Sequence, residues 1–183
     1  MAVRAPQSVR VELDLKVFKI AGTWEPNEVE RRAAWELYVE LLTRVAVVPL
    51  REGEGLVREA LGSLYSLFDT TREVLRKAGP QVAEPKPDGQ YNLAFLAVAM
   101  LNFVLRPVLA RWHPVLEEWE ATRLEGRSRR EHEQAWPQIG ALRGELEVTR
   151  QQLTYYAALL AAACGVPDLT AAVSRALQPP PES

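Results

Sequence analysis

Histidine and cysteine are almost missing from this chain, and their scarcity removes whole classes of chemistry. A single cysteine, Cys164, leaves no disulfide partner and no paired-cysteine zinc site. Two histidines, His113 and His132, cannot build a multi-histidine metal centre within one chain. Neither has a glutamate three residues before it, so the Glu-x-x-His pairs of a carboxylate-bridged di-iron bundle are missing too. There is no glycine-rich loop after a strand, no GxxxxGK(S/T) and no HExxH. No metal and no cofactor is therefore expected. Excess charge is also lacking: a net charge of −2 sets up no field toward nucleic acid or anionic lipid, so neither DNA nor a membrane is an expected partner. Lysine is scarce, 4 against 18 arginines, which suits arginine in buried pairs or at an interface. Met1 to Arg10 holds no apolar stretch that reads as a secretory signal, and with one lone cysteine the expected location is cytoplasmic. The longest apolar run, Leu93 to Leu105, is interrupted only by Asn102 and closed by Arg106 and Pro107. It falls short of the roughly 20 residues needed to span a bilayer. A helix apolar all round that does not span is expected at the centre of its fold.

What the chain does have is a four-three rhythm of apolar residues in two stretches. Val57, Leu61, Leu64, Phe68, Thr71, Leu75 and Ala78 form one stripe, and Ile139, Leu142, Leu146, Thr149, Leu153, Tyr156, Leu160 and Ala163 form another. This spacing lets a helix press one seam against its neighbours. The helix before them starts at Asn27, with Glu30 at capping-box spacing, and carries Val29, Ala33, Leu37, Leu41 and Val45 along one row. Trp24 and Trp35 are expected to plug the end and shoulder of the core. Gly79 and Pro80 stop the second helix. The third, with Asp88 as candidate cap, continues past Pro107 to about Arg123, kinked at Pro107 and Pro114. A polar turn, Leu124 to Arg130, leads to the fourth helix, where Pro137 predicts a late start or a bend. The predicted fold is all-α: an elongated four-helix up-down bundle in one domain over residues 1–183. An N-terminal β-strand or extended arm (1–23) precedes it, and a short C-terminal helix with a disordered tail (179–183) follows.

Val9, Val11, Leu13, Leu15 and Val17 alternate with charged residues, the period-two pattern of a half-buried strand. The only visible partner in the chain is Val45 to Val48. If that segment ends a helix instead, the strand pairs with another copy, with another protein, or lies along the bundle. These five residues are the expected interface.

Two arginine–histidine spacings carry mechanistic content. Arg127 precedes His132 with four residues between, in an arginine-rich turn with Arg123, Arg129 and Arg130, and Arg106 precedes His113 with six between. The pattern resembles the signature of the HEPN ribonucleases, helical bundles in which an Arg and a His separated by four to six residues mark the active site. The resemblance implies a dimeric cleft in which Arg127 and His132 assist metal-independent cleavage of RNA by its own 2′-hydroxyl. Arg106 with Asn102, one turn apart on the apolar helix, is the other polar group to place. Against Trp112 and His113 these residues form a candidate binding pocket, while their simpler role is to satisfy the carbonyl freed by Pro107.

The function expected from the sequence is a non-enzymatic helical protein–protein interaction module, an adaptor or regulatory subunit that binds a protein partner or forms a homo-oligomer. The alternative is the HEPN-like ribonuclease, the one reading in which RNA is a partner. A third, resting on the apolar helix alone, is a carrier of a small apolar ligand.

Overall fold

The computed structural model describes residues 6–14, 19–44, 48–50 and 54–169. The chain is mostly helical, with a small three-stranded sheet at its N-terminal side. Among the described residues the elements are β1 (Val9–Asp14), β2 (Lys19–Trp24), α1 (Glu28–Leu42), α2 (Val57–Ala78), a 3-10 turn (Pro80–Ala83), β3 (Gln90–Tyr91), α3 (Leu93–Ala121), α4 (Arg129–Gln134) and α5 (Ile139–Cys164).

The leading strand finds its partner inside the chain, a correction to the expectation that it needs Val45 to Val48 or another molecule. β1 pairs antiparallel with β2, Val9 opposite Trp24, Val11 opposite Gly22 and Leu13 opposite Ile20. These pairs share the inward face, and Val9, Val11, Leu13, Ile20 and Trp24 are all buried in the chain's own core. Leu15 and Val17, like Val45, lie outside the described residues. β3 joins β2 in parallel, through Thr23 with Gln90 and Trp24 with Tyr91. A Cβ at Gly22 would stand 2.4 Å from the Gly89 carbonyl oxygen, so only glycine permits this approach. β1 is an edge strand of the sheet, and its Glu12 amide donates to the Tyr155 hydroxyl of α5 at 3.2 Å.

Both predicted stripes face the core. On α2, Val57, Leu61, Leu64, Phe68 and Thr71 are buried and Leu75 and Ala78 half-buried; on α5, Leu142, Leu146, Thr149, Leu153, Tyr156, Leu160 and Ala163 are buried, with Ile139 half-buried at the start. Trp24 is fully buried as expected, whereas Trp35 stands out of the core and is exposed. The short last helix and the tail expected after Asp168 fall at 170–183, outside the described residues.

Glu30 ties the two ends of the chain's first half together. It completes the capping box of α1, where Asn27 accepts from the Glu30 amide at 2.8 Å and the Glu30 carboxylate accepts from the Asn27 amide at 2.8 Å. The same carboxylate, fully buried, also accepts from the Trp24 indole (3.1 Å), from the first amide of α3 at Leu93 (2.9 Å) and from Lys86 (3.0 Å). Four donors on two oxygens satisfy the buried charge. Asn92, and not Asp88, caps α3.

α2 begins without a side-chain cap of its own, and Glu133 supplies one from elsewhere. Both Glu133 oxygens lie 3.0 Å from the Val57 amide, so a carboxylate sits where the α2 dipole favours negative charge. Its burial nevertheless pushes its pKa up from the usual carboxylate value. α4, with its Ser128–Glu131 capping box, places Glu133 there, and Pro137 defers the start of α5 to Ile139.

α3 is α-helical over Leu93–Ala99, π-helical over Met100–Leu105 and α-helical again over Arg106–Ala121. The Arg106 amide reaches back five residues to the Leu101 carbonyl. Widening the turn just before Pro107 relieves the clash that a proline ring makes with a tighter helix. By length and composition α3 is the one helix among the described residues apolar enough to cross a membrane, and half of its most apolar stretch is buried inside the protein.

Candidate functional site

α2 and α3 run side by side in opposite directions, so Arg58 meets His113 and Glu120 while Phe68, ten residues on, meets Arg106. Between them lies an open groove of about 510 Å³ lined by Tyr65, Phe68, Arg72, Arg106, Leu109, Ala110, His113 and Pro114. Phe68 reaches it because its ring closes the edge of the α2 stripe. Tyr65, one residue past the seam position Leu64, stands 60% exposed on the rim.

Two guanidinium groups converge on the Phe68 ring, Arg106 at 5.4 Å and Arg72 at 5.7 Å from its centroid. Each such contact contributes about 0.5–1 kcal/mol at an exposed site. Arg72 is paired with Asp69 at 2.7 Å. Arg106 is held instead by Asn102, whose side-chain oxygen accepts from Nε at 3.0 Å, and no carboxylate among the described residues comes within ion-pair distance of it. The groove thus presents a positioned cation beside two aromatic rings.

His113 forms the wall behind them. The Arg58 guanidinium stands 3.1 Å from its Nδ1 and can only donate, so Nδ1 accepts and the ring proton sits on Nε2. Burial, reinforced by the Arg58 charge, lowers the His113 pKa from its usual value. Nε2 is buried without a hydrogen-bond partner, and the Tyr65 ring stands edge-on to the imidazole at 5.8 Å. Trp112 belongs elsewhere. It is buried on the α5 side, donating to Glu145 at 2.7 Å and set edge-on to Trp136. Of the four residues expected to form a pocket, Arg106 and His113 line the groove, Asn102 positions Arg106, and Trp112 is core.

Beyond Arg58 the groove gives way to a more polar cleft of about 410 Å³ lined by Trp119, Arg123, Arg129 and His132 among others. His132 is 4% exposed and stacks on Trp119 with ring centroids 4.6 Å apart and planes 9° from parallel. The bonding is reciprocal. His132 Nε2 donates to the Trp119 carbonyl at 2.8 Å, and the Trp119 indole donates to the His132 carbonyl at 3.1 Å. The Arg127 guanidinium donates to the Glu131 carbonyl at 3.4 Å, and no contact joins the Arg127 and His132 side chains among the described residues. No cluster of three or more His, Cys, Asp or Glu among the described residues can hold a metal ion.

Comparison with family models, curated proteins and solved structures found no match for this chain. The site rests on its own geometry. Sequence reasoning missed Tyr65 and Arg72, which lie seven residues apart and therefore on one face of α2, flanking Phe68. That spacing, set beside the apolar seam, was the available signal.

Proposed function

We propose that this protein is a non-enzymatic helical interaction module, an adaptor or regulatory subunit of cytoplasmic location, which docks an acidic and apolar protein segment in the α2–α3 groove. The supporting body is an up-and-down arrangement of α1, α2, α3 and α5. Glu36 with Lys77 and Arg44 with Thr70 run α1 antiparallel to α2, Trp112 with Glu145 joins α3 to α5, and Arg31 with the Ala163 carbonyl joins α1 to α5.

The observation that carries the reading is Arg106, a guanidinium fixed by Asn102 over an aromatic ring in an open groove, with no carboxylate partner among the described residues. A guanidinium so placed suits a partner's carboxylate, with Tyr65 and Phe68 receiving neighbouring apolar side chains. A ribonuclease built on Arg127 and His132 is less favoured, because the histidine is packed on Trp119 and its Nε2 is committed to a backbone carbonyl. The test is fluorescence anisotropy with a labelled amphipathic helix of alternating leucine and glutamate faces, against the same helix with lysine for glutamate. The acidic probe should bind, the basic one should not, and Arg106→Glu should weaken the acidic probe at least tenfold with unchanged far-UV circular dichroism. Equal binding of both probes, or metal-independent RNA cleavage abolished by His132→Ala in a folded variant, overturns the reading.

A further inference from the structure

We propose that the segment received by the α2–α3 groove is the α1–α2 flank of a second copy of this chain, so that the protein associates head to tail. The inference rests on the groove being a docking surface, as proposed above.

A second groove, of about 310 Å³, lies between α1 and α2 and is lined by Trp35, Glu36, Val39, Glu40, Glu73 and Lys77 among others. Its chemistry is the complement of the first. The α2–α3 groove has two arginines and no carboxylate in its lining, and this one has three carboxylates and one lysine. Lys77 is bound to Glu36 at 3.0 Å and Arg44 takes Glu40 at 2.8 Å, but Glu73 has no cation within ion-pair distance among the described residues. Among the described lining residues, Glu73 is therefore the carboxylate of this groove without an ion-pair partner and Arg106 the guanidinium of the other.

The apolar parts match as well. Trp35 is 44% exposed although its neighbour Tyr38 is fully buried, and Val39, one turn on, is 38% exposed. An indole and a valine raised on the α1 ridge suit a groove walled by Tyr65 and Phe68. Both grooves border α2. Tyr65, Phe68 and Arg72 line one flank, while Glu73 and Lys77, rotated by roughly 100–150° at 3.6 residues per turn, line the other. Two different patches facing apart on one subunit make a heterologous contact, which extends into a ring or a filament unless it is blocked.

The test is sedimentation velocity of the full chain across the micromolar range, with Arg106→Glu as the groove variant and Trp35→Ala as the flank variant. Both positions are exposed, and Arg72→Glu serves as a second groove variant should Arg106→Glu fail to fold. Wild type should grow in mass with concentration and less so in high salt, each variant alone should stay monomeric, and an equimolar mixture should form a 1:1 complex and nothing larger. The mixture is decisive because one variant keeps the flank and the other keeps the groove. A monomeric wild type, a variant that still associates alone, or a mixture that stays monomeric overturns head-to-tail docking. If the acidic probe helix still binds in an Arg106-dependent way, the interaction module survives that failure; if neither occurs, both fall.

Discussion

Replacing Glu30 by glutamine tests the hub that joins β2, α1 and α3. The substitution is nearly isosteric, so its cost comes from hydrogen bonds alone. Oε1 keeps its role as acceptor for the Trp24 indole and the Leu93 amide, but an NH2 in place of Oε2 faces two donors, the Asn27 amide and the Lys86 ammonium. Turning the side-chain amide over moves the conflict to Trp24 and Leu93 and gains nothing. A buried donor left unmet costs about 1–3 kcal/mol, and removing one partner of a buried ion pair costs about 3–5 kcal/mol. The Lys86 side chain is only 14% exposed and its Glu30 partner 0%, so the pair counts as buried. The two costs overlap, and about 4 kcal/mol is the expected loss, a large share of the roughly 5–15 kcal/mol that holds a domain together. At about 2–4 °C per kcal/mol for a chain of this size, the melting temperature should fall by about 8–16 °C. Urea titration followed by far-UV circular dichroism measures the loss. Lys86→Met and the double variant complete a cycle, in which the double variant should cost at least about 2 kcal/mol less than the sum of the singles. A loss under about 1 kcal/mol for Glu30→Gln, or strict additivity, would refute the account of a shared buried charge.

Gly22→Ala places a methyl 2.4 Å from the Gly89 carbonyl oxygen and 2.7 Å from the Tyr91 ring, so it should break the β2–β3 junction at a cost of about 2–3 kcal/mol, read by the same titration. Cys164, whose thiol bonds to the Arg31 carbonyl and whose pKa is pushed up to about 11 by burial, should react with a disulfide reagent at pH 8 about 20-fold or more slowly than free cysteine, and denaturant should remove the difference. An equally fast native reaction contradicts the burial. His113 titrates below its ordinary value of 6.5 in the folded chain, so the unfolded chain binds the extra proton first. The stability tied to its neutral form should be complete above that value and be lost as pH falls through the lowered folded pKa. Subtracting the pH profile of His113→Gln from that of wild type should isolate this slope, and identical profiles would show that burial and the Arg58 charge do not hold His113 neutral as described.

The helices were legible because their signals are periodic and local. The α2 and α5 stripes and the Asn27–Glu30 box need only residues a few positions apart, and all three stand as read. β2 was not legible: Lys-Ile-Ala-Gly-Thr-Trp offers only Ile20 and Trp24 to the core, and the Gly22 that a backbone contact demands weakens the strand pattern. Glu30 could be read as a cap but not as a buried charge, because Lys86 and Leu93 approach from more than fifty residues away. Trp112 was placed beside His113 by adjacency, yet successive residues on a helix point about 100° apart, and the fold sends one toward α5 and the other toward α2. The groove itself is set by two helices distant in sequence. Only Asn102 and Arg106, one turn apart, and His113 marked it in advance.

The π turn in α3 has a consequence for how this helix tolerates change in length. A π turn accommodates one residue more than a regular helix of the same rise, and this one lies between the inward-facing Leu96 and the inward-facing Trp112. Deleting a single residue between Met100 and Leu105 would let the backbone close into plain α-helix with Leu96 and Trp112 still pointing inward. A deletion anywhere else in α3 would swing half the helix by about 100° and turn its core face out. Chain shortening is thus permitted at one place, and what it erases there is the wide turn that holds Asn102 and leads into Arg106.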